Sequence, residues 1–148
     1  MSLQSLRIRN FKAVVDSKTV KLGPLTAFIG NNGAGKSSLI EALETYQAIG
    51  RDGLDMAMQR WLGIEHVRHK AQVAKERMGQ LVNPISWELA LGDSPRKVRR
   101  LSMTVNNDPA ANRMFIASER ITRLDGVWFD RDRTGGIVPY DAGRSVLT

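Results

Sequence analysis

Residues Gly30-Asn31-Asn32-Gly33-Ala34-Gly35-Lys36-Ser37 follow the spacing G-x-x-x-x-G-K-S/T, and each residue type suits the handling of phosphate. Glycines let a backbone wrap tightly enough for several N–H groups to converge on one hollow. A helix starting near Lys36 would add its free N–H groups and the positive end of its dipole. Lys36 would bring a full positive charge to β- and γ-phosphates, and it is the one residue expected to act catalytically. The Ser37 hydroxyl is a hard oxygen ligand of the kind Mg²⁺ takes. Ser38 stands where its N–H and hydroxyl could reach an α-phosphate. The expected binding set is therefore Gly30, Asn31, Asn32, Gly33, Ala34, Gly35, Lys36, Ser37 and Ser38, holding MgATP with the metal at Ser37. A glycine-rich turn capping an ordinary helix can match so short a pattern, so the flanking elements must decide.

Those flanks have the required character. Leu25-Thr26-Ala27-Phe28-Ile29 is mostly apolar and runs straight into Gly30, which reads as a buried central strand. After the loop, Leu39, Ile40, Leu43 and Tyr46 recur on one face of a helix from Ser37 to about Ala48, with Gly50 as a plausible stop. Upstream, Leu6 and Ile8 alternate with Arg7 and Arg9 as in a half-buried strand, and Thr19–Leu22 could form another. Leu54, Met58, Trp61 and Leu62 suggest a shorter helix. Ile64, Val67, Ala71, Ala74 and Met78 fit a helical face in a polar stretch. After Pro84 the period falls to two: Ile85–Leu91, Leu101–Val105, Met114–Ile121 and Val127–Phe129 read as an antiparallel meander.

The chain has 148 residues, 42% apolar and 25% charged, which fits one folded domain. No stretch approaches the roughly 18 apolar residues of a membrane span. The N-terminus lacks the apolar region of a secretory signal. With no cysteine there is neither a disulfide framework nor a thiolate metal site. A cytoplasmic protein without membrane contact is expected. The net charge of +7 exceeds what one phosphate loop requires. Nucleic acid is one candidate partner and an idle basic surface is the other reading. The run Arg96-Lys97-Val98-Arg99-Arg100 divides the same way, between contact with DNA phosphates and a solvated hairpin end. Trp61, Trp87 and Trp128 read as core or interface residues.

Two pieces taken together resemble the N-terminus of ABC-type ATPase heads, the group of RecF, SMC, overlapping-lysis-defect nucleases and AAA-type bacterial ATPases. One is Leu6-Arg7-Ile8-Arg9-Asn10-Phe11-Lys12, similar to the family opening L-x-I-x-N-F-K. The other is Leu22-Gly23-Pro24-Leu25-Thr26 leading into the glycine loop and on through Ser38-Leu39-Ile40-Glu41-Ala42-Leu43. Asn31 stands where the family often has proline. The resemblance implies a head that closes on ATP and Mg²⁺ with a second ATPase head, as a homodimer, or with a C-terminal lobe. It also implies that Asn10 or Lys12 lies near the base or α-phosphate.

The rest of the family's machinery is not legible. Gly126-Val127-Trp128-Phe129-Asp130-Arg131-Asp132 is the nearest approach to a Walker B strand, but arginine follows the Asp where glutamate belongs, and a meander strand is the better reading. Gly135-Gly136-Ile137 lacks the Leu-Ser of a signature segment. Gln47, Gln59, Gln72 and Gln80 compete for the Q-loop. His66 and His69 share a helical face without a ligand set to complete a metal site. The expected fold class is thus α/β, an ABC-ATPase-like P-loop lobe with an added antiparallel β subregion. It would be one truncated domain, with residues 1–82 as the nucleotide-binding part and 83–148 as the meander. ATP binding is the expected function, with hydrolysis awaiting motifs or a partner outside this chain. A small P-loop kinase, with Arg96–Arg100 or Arg120–Arg133 as a lid, and a non-catalytic switch are the alternatives.

Overall fold

The computed structural model describes residues 1–69, 83–94, 96–108 and 110–132. The chain opens with strands β1 (Ser2–Phe11), β2 (Val14–Asp16) and β3 (Val20–Lys21). Three helices follow: α1 (Lys36–Asp52), α2 (Leu54–Gln59) and α3 (Ile64–Val67). Four long strands then complete the order: β4 (Ile85–Gly92), β5 (Val98–Asp108), β6 (Arg113–Arg123) and β7 (Gly126–Asp132).

All these strands belong to one seven-stranded sheet in the order β2-β1-β4-β5-β6-β7, with β3 continuing the β2 edge of β1. Each pairing is antiparallel. The meander is therefore joined to the N-terminal strand directly, with Leu6 opposite Leu89 and Ile8 opposite Trp87. Period-two alternation explains the two faces. Leu6, Ile8, Ile85, Trp87, Leu89, Met103 and Val105 are buried on one side. Arg7, Arg9, Ser86, Glu88, Ser102 and Thr104 line a groove on the other.

The helices cover the apolar face. α1 turns Ala42, Thr45, Ala48 and Ile49 inward. Trp87 is the hub of the packing: fully buried, it donates its indole N–H to the Ala42 carbonyl at 2.9 Å. Its ring meets Phe11 edge-on at 6.3 Å and Tyr46 at 6.1 Å. Thr45 satisfies its buried hydroxyl twice, donating to the Glu41 carbonyl at 2.7 Å and accepting from the Trp61 indole at 2.9 Å. α1 runs through Gly50 and ends at Gly53, whose φ of 87° leaves the helical region. One exposed glycine inside a helix costs only about 1 kcal/mol, which the buried face of a 17-residue helix offsets.

The expected α/β class is corrected here. The sheet is antiparallel throughout, and the segment read as its buried central strand forms no strand. Leu25 is 93% exposed and Ile29 95% exposed. The physical reason is pairing: a strand is stable when neighbours satisfy its backbone, and no described strand lies beside residues 25–29. Of the helical face expected over 64–80, α3 accounts for Ile64 to Val67; Ala71, Ala74 and Met78 lie outside the described residues.

Trp87→Ala removes the ring that α1, Phe11 and Tyr46 all pack on. The expected loss is about 3–5 kcal/mol, read from urea denaturation. Trp87→Phe, which keeps an aromatic ring but loses the bond to Ala42, should cost clearly less.

Candidate functional site

The glycine loop is an exposed bend between residue 29 and α1. It is built in two steps. First, a tight turn joins Asn31 to Ala34, whose N–H donates to the Asn31 carbonyl at 3.1 Å. Gly33 holds the turn's third position with φ 85°, a region that side chains disfavour. Second, Gly35 adopts φ 90° and ψ 11° as the residue before the helix. The chain then enters α1 at Lys36, and the Leu39 N–H to Gly35 carbonyl bond of 3.1 Å closes the first turn.

Gly35 is the tightest point of the loop. A Cβ built there would lie 3.0 Å from Cγ2 of Val14 and 3.9 Å from Cβ of Ala13. The turn between β1 and β2 thus fits directly against the loop. Ala13 and Val14 escaped the sequence reading, since a short apolar pair in a turn carries no phosphate signal. The hairpin is secured from its far side: Asp16 accepts from Arg7 Nε at 3.0 Å, from Arg7 Nη2 at 2.8 Å and from the Lys18 N–H at 2.8 Å. These bonds, that to Arg7 foremost, hold the Asp16 carboxyl well below the usual carboxylate range.

Helix geometry leaves the first-turn amides without intrahelical acceptors. Among the described residues no backbone or side-chain acceptor takes the N–H of Gly35, Lys36, Ser37 or Ser38. Lys36 folds its ammonium back across the bend and donates to the Gly30 carbonyl and, at 2.8 Å, to the Asn31 carbonyl. Ser37 is exposed and Ser38 buried. Free amides, a cation and an exposed hydroxyl at one helix start form a donor set that fits a phosphate with its magnesium ion. Bound there, such an ion would take the Ser37 hydroxyl as one oxygen ligand and neutralise phosphate charge.

Other expected residues fall elsewhere. Asn10 donates to the Pro84 carbonyl at 2.9 Å. The Lys12 ammonium lies 2.8 Å from a Glu41 carboxylate oxygen and 3.7 Å from the centre of the Trp61 ring. Both are held by protein groups. His69 donates from Nδ1 to the Lys12 carbonyl at 2.5 Å, and His66 is exposed on α3. Among the described residues no three His, Asp or Glu side chains cluster as a metal site. Gly126–Asp132 is the sheet-edge strand β7, where Asp130 meets Arg120 at 2.7 Å. Arg131 meets Glu119 at 2.7 Å, so these two arginines are committed within the sheet and not to a lid. Gln72, Gln80, Arg133 and Gly135 to Ile137 lie outside the described residues.

Two measurements test this construction. Gly35→Ala should destabilise the fold by about 1–2 kcal/mol from the positive φ alone, with the Val14 contact adding to it. Gly33→Ala meets open space and should cost less in the same denaturation assay. For Asp16 the sign follows from its lowered pKa. Its stabilisation is complete above the ordinary value of about 4 and fades as pH falls below that toward the folded value. Asp16→Asn should therefore lower the melting temperature at pH 7 and flatten its acid dependence below pH of about 4.

Residues 1–48 match the family model described as AAA ATPase domain, a stretch from β1 through most of α1. Neither a search of curated proteins nor one of solved structures returned a match. Among the described residues no helix is long and apolar enough to cross a membrane. The chain's first third is thus similar in sequence to the N-terminal portion of AAA-type ATPases.

Proposed function

We propose that this chain binds MgATP on Gly30 to Ser38, as the N-terminal portion of an ABC-type ATPase head of the RecF/SMC-like kind. The observation that carries the reading is the start of α1, where acceptor-free N–H groups and the Lys36 ammonium share one bend. The N-terminal match to the AAA ATPase domain supports it. On binding, Lys36 would exchange its bonds to the Gly30 and Asn31 carbonyls for phosphate oxygens. The amides would need no rearrangement, because Gly35 already orients them.

Hydrolysis asks for a group that activates water, and β7, the strand most like a Walker B sequence, lies at the sheet edge opposite β2 and supplies none. Asp130 is engaged by Arg120 on the sheet edge, and arginine follows it in the sequence. The chain would therefore hold nucleotide and turn it over slowly by itself. A second head or a further lobe would complete the reaction. Leu25, Ile29 and Ile40, the last 47% exposed on α1, offer apolar surface for such a partner. The domain would then be one unit of two parts, residues 1–82 gripping the nucleotide and residues 83–148 contributing strands β4 to β7 to the sheet that β1 belongs to.

Isothermal titration of ATP with Mg²⁺ should show binding, and Lys36→Ala should weaken it by about 10- to 100-fold, the worth of a charge-assisted hydrogen bond. Turnover by the wild-type chain should stay far below ~1 s⁻¹. Equal affinity in the variant, or a turnover of that order, contradicts the proposal.

A further inference from the structure

Asn32-Gly33 is the only Asn-Gly step in the chain, and it stands in the middle of the glycine loop. Such a pair carries a reaction of its own. The backbone nitrogen of the second residue can attack the side-chain carbonyl carbon of the asparagine and close a five-membered imide. Glycine in the second position puts no Cβ in the way and leaves the backbone its widest range of angles. Asn31, Asn32 and Gly33 are all exposed, so water and hydroxide reach the pair. Among the described residues no acceptor takes the Gly33 N–H and no partner holds the Asn32 carboxamide; the bond across the bend runs from the Ala34 N–H to the Asn31 carbonyl. The loop presses on the rest of the fold at Gly35, whereas a Cβ at Gly33 would meet open space. A segment with so few contacts opens locally at low cost, which gives Asn32 the rotations that bring its Cγ over the Gly33 nitrogen.

Comparable steps elsewhere in the chain are hindered. Asn83 precedes Pro84, which has no N–H to give up. The Asn10 carboxamide donates to the Pro84 carbonyl at 2.9 Å, and Phe11 follows it. Asn106 is buried, and its side-chain oxygen accepts from the Asn107 N–H at 2.9 Å, the nitrogen that would have to attack. Asn31, Asn107 and Asn112 are each followed by a residue with a side chain. The Asp-Gly steps at Asp52 and Asp125 present a carboxylate, a poorer electrophile than a carboxamide. At the first of these the Gly53 N–H is already given to the Ile49 carbonyl at 3.0 Å, and Arg51 holds the Asp52 carboxylate at 2.7 Å. Asn32 alone combines an amide electrophile, a glycine nitrogen, exposure and freedom from partners.

We propose that Asn32 is a self-modification site, converted through a cyclic imide to aspartate and isoaspartate, and that the new carboxylate closes the loop to phosphate. The Gly33 nitrogen gives its proton to hydroxide and bonds to Cγ of Asn32. The Cγ–Nδ2 bond then breaks, and Nδ2 takes a proton from water and leaves as ammonia. A water molecule opens the imide at either carbonyl, leaving the carboxylate on the side chain in aspartate or at the former main-chain carbon in isoaspartate. One water is consumed, one ammonia is released, and nothing is oxidised or reduced. Either product sets a negative charge in the bend that Lys36 folds across, and isoaspartate also lengthens the backbone by one methylene beside Gly33. The loss of phosphate binding rests on the nucleotide reading above; the conversion itself does not.

The test is to incubate the full chain at neutral and at alkaline pH and follow the tryptic peptide Leu22–Lys36 by mass. The expected result is a gain equal to OH in place of NH₂, assigned to Asn32 by fragmentation and faster at the higher pH. Isoaspartate should appear in step, read by enzymatic methyl esterification. Gly33→Ala should slow the gain several-fold. Should that variant disturb the bend, Asn32→Gln, which closes only a six-membered ring, should slow it as well. Asn32→Asp should bind MgATP roughly tenfold more weakly than the fresh chain, and the aged chain should lose affinity in proportion to its converted fraction. An unchanged Asn32, over a time in which the isolated peptide Leu22–Lys36 is mostly converted, overturns the proposal. So does conversion spread evenly over Asn31, Asn107 and Asn112, or an aged chain that binds MgATP as the fresh one does. A fresh chain indifferent to MgATP contradicts the nucleotide reading, and with it the loss of binding, while mass alone still decides the conversion.

Discussion

Gly35 sets where α1 begins, and the donor geometry of the loop depends on it. Its φ of 90° turns the chain sharply into the helix, and a Cβ there would press on the Val14 methyl at 3.0 Å. A helix started one residue earlier or later would present a different set of acceptor-free amides. The Lys36 ammonium would then leave its carbonyl partners at Gly30 and Asn31. The phosphate-fitting character of the bend is thus a property of one backbone conformation, held from outside by the β1–β2 hairpin.

That hairpin and α1 are both referred to the same sheet. Trp87 ties the middle of the helix to β4 through the Ala42 carbonyl, and β4 is hydrogen-bonded along most of β1. β1 in turn carries the hairpin to Gly35. The loop therefore sits on a closed circuit of contacts: sheet to helix, helix to loop, loop to hairpin, hairpin to sheet. Lys12 adds a cross-brace, bridging the end of β1 to Glu41 on the helix and to the Trp61 ring. The apolar stretch at Leu25 to Ile29 stands outside the circuit, which is why it is exposed despite its composition.

Local chemistry was the most legible part of the sequence. Positions of alternating polarity became strands, and the spacing of Leu39, Ile40, Leu43 and Tyr46 marked a helix, although Ile40 is exposed and the residues buried deepest are Ala42, Thr45, Ala48 and Ile49. The glycines that bend the loop announced themselves because side chains disfavour the φ values that Gly33 and Gly35 adopt. Long-range pairing was not legible. Nothing in the residues 25–29 says whether a neighbouring strand exists, and five apolar residues look alike buried or bare. Nor does alternation state that β1 joins the meander in antiparallel register, a fact decided by the match of Leu6 and Ile8 to Leu89 and Trp87. The stacking of Arg99 and Arg123 on the Trp128 ring brings residues from three strands together, so no sequence window contains it.

The account stands on the first-turn amides of α1 and the loop before them as the groups that meet phosphate. Amide ¹⁵N–¹H spectra of the chain titrated with MgATP test this most directly. The account predicts that the resonances of Gly33, Gly35, Lys36, Ser37 and Ser38 shift together and saturate along one binding curve, while those at the β4–β5 hairpin stay in place. Unmoved loop resonances at millimolar nucleotide, or shifts confined to the outer face of the sheet, would contradict it.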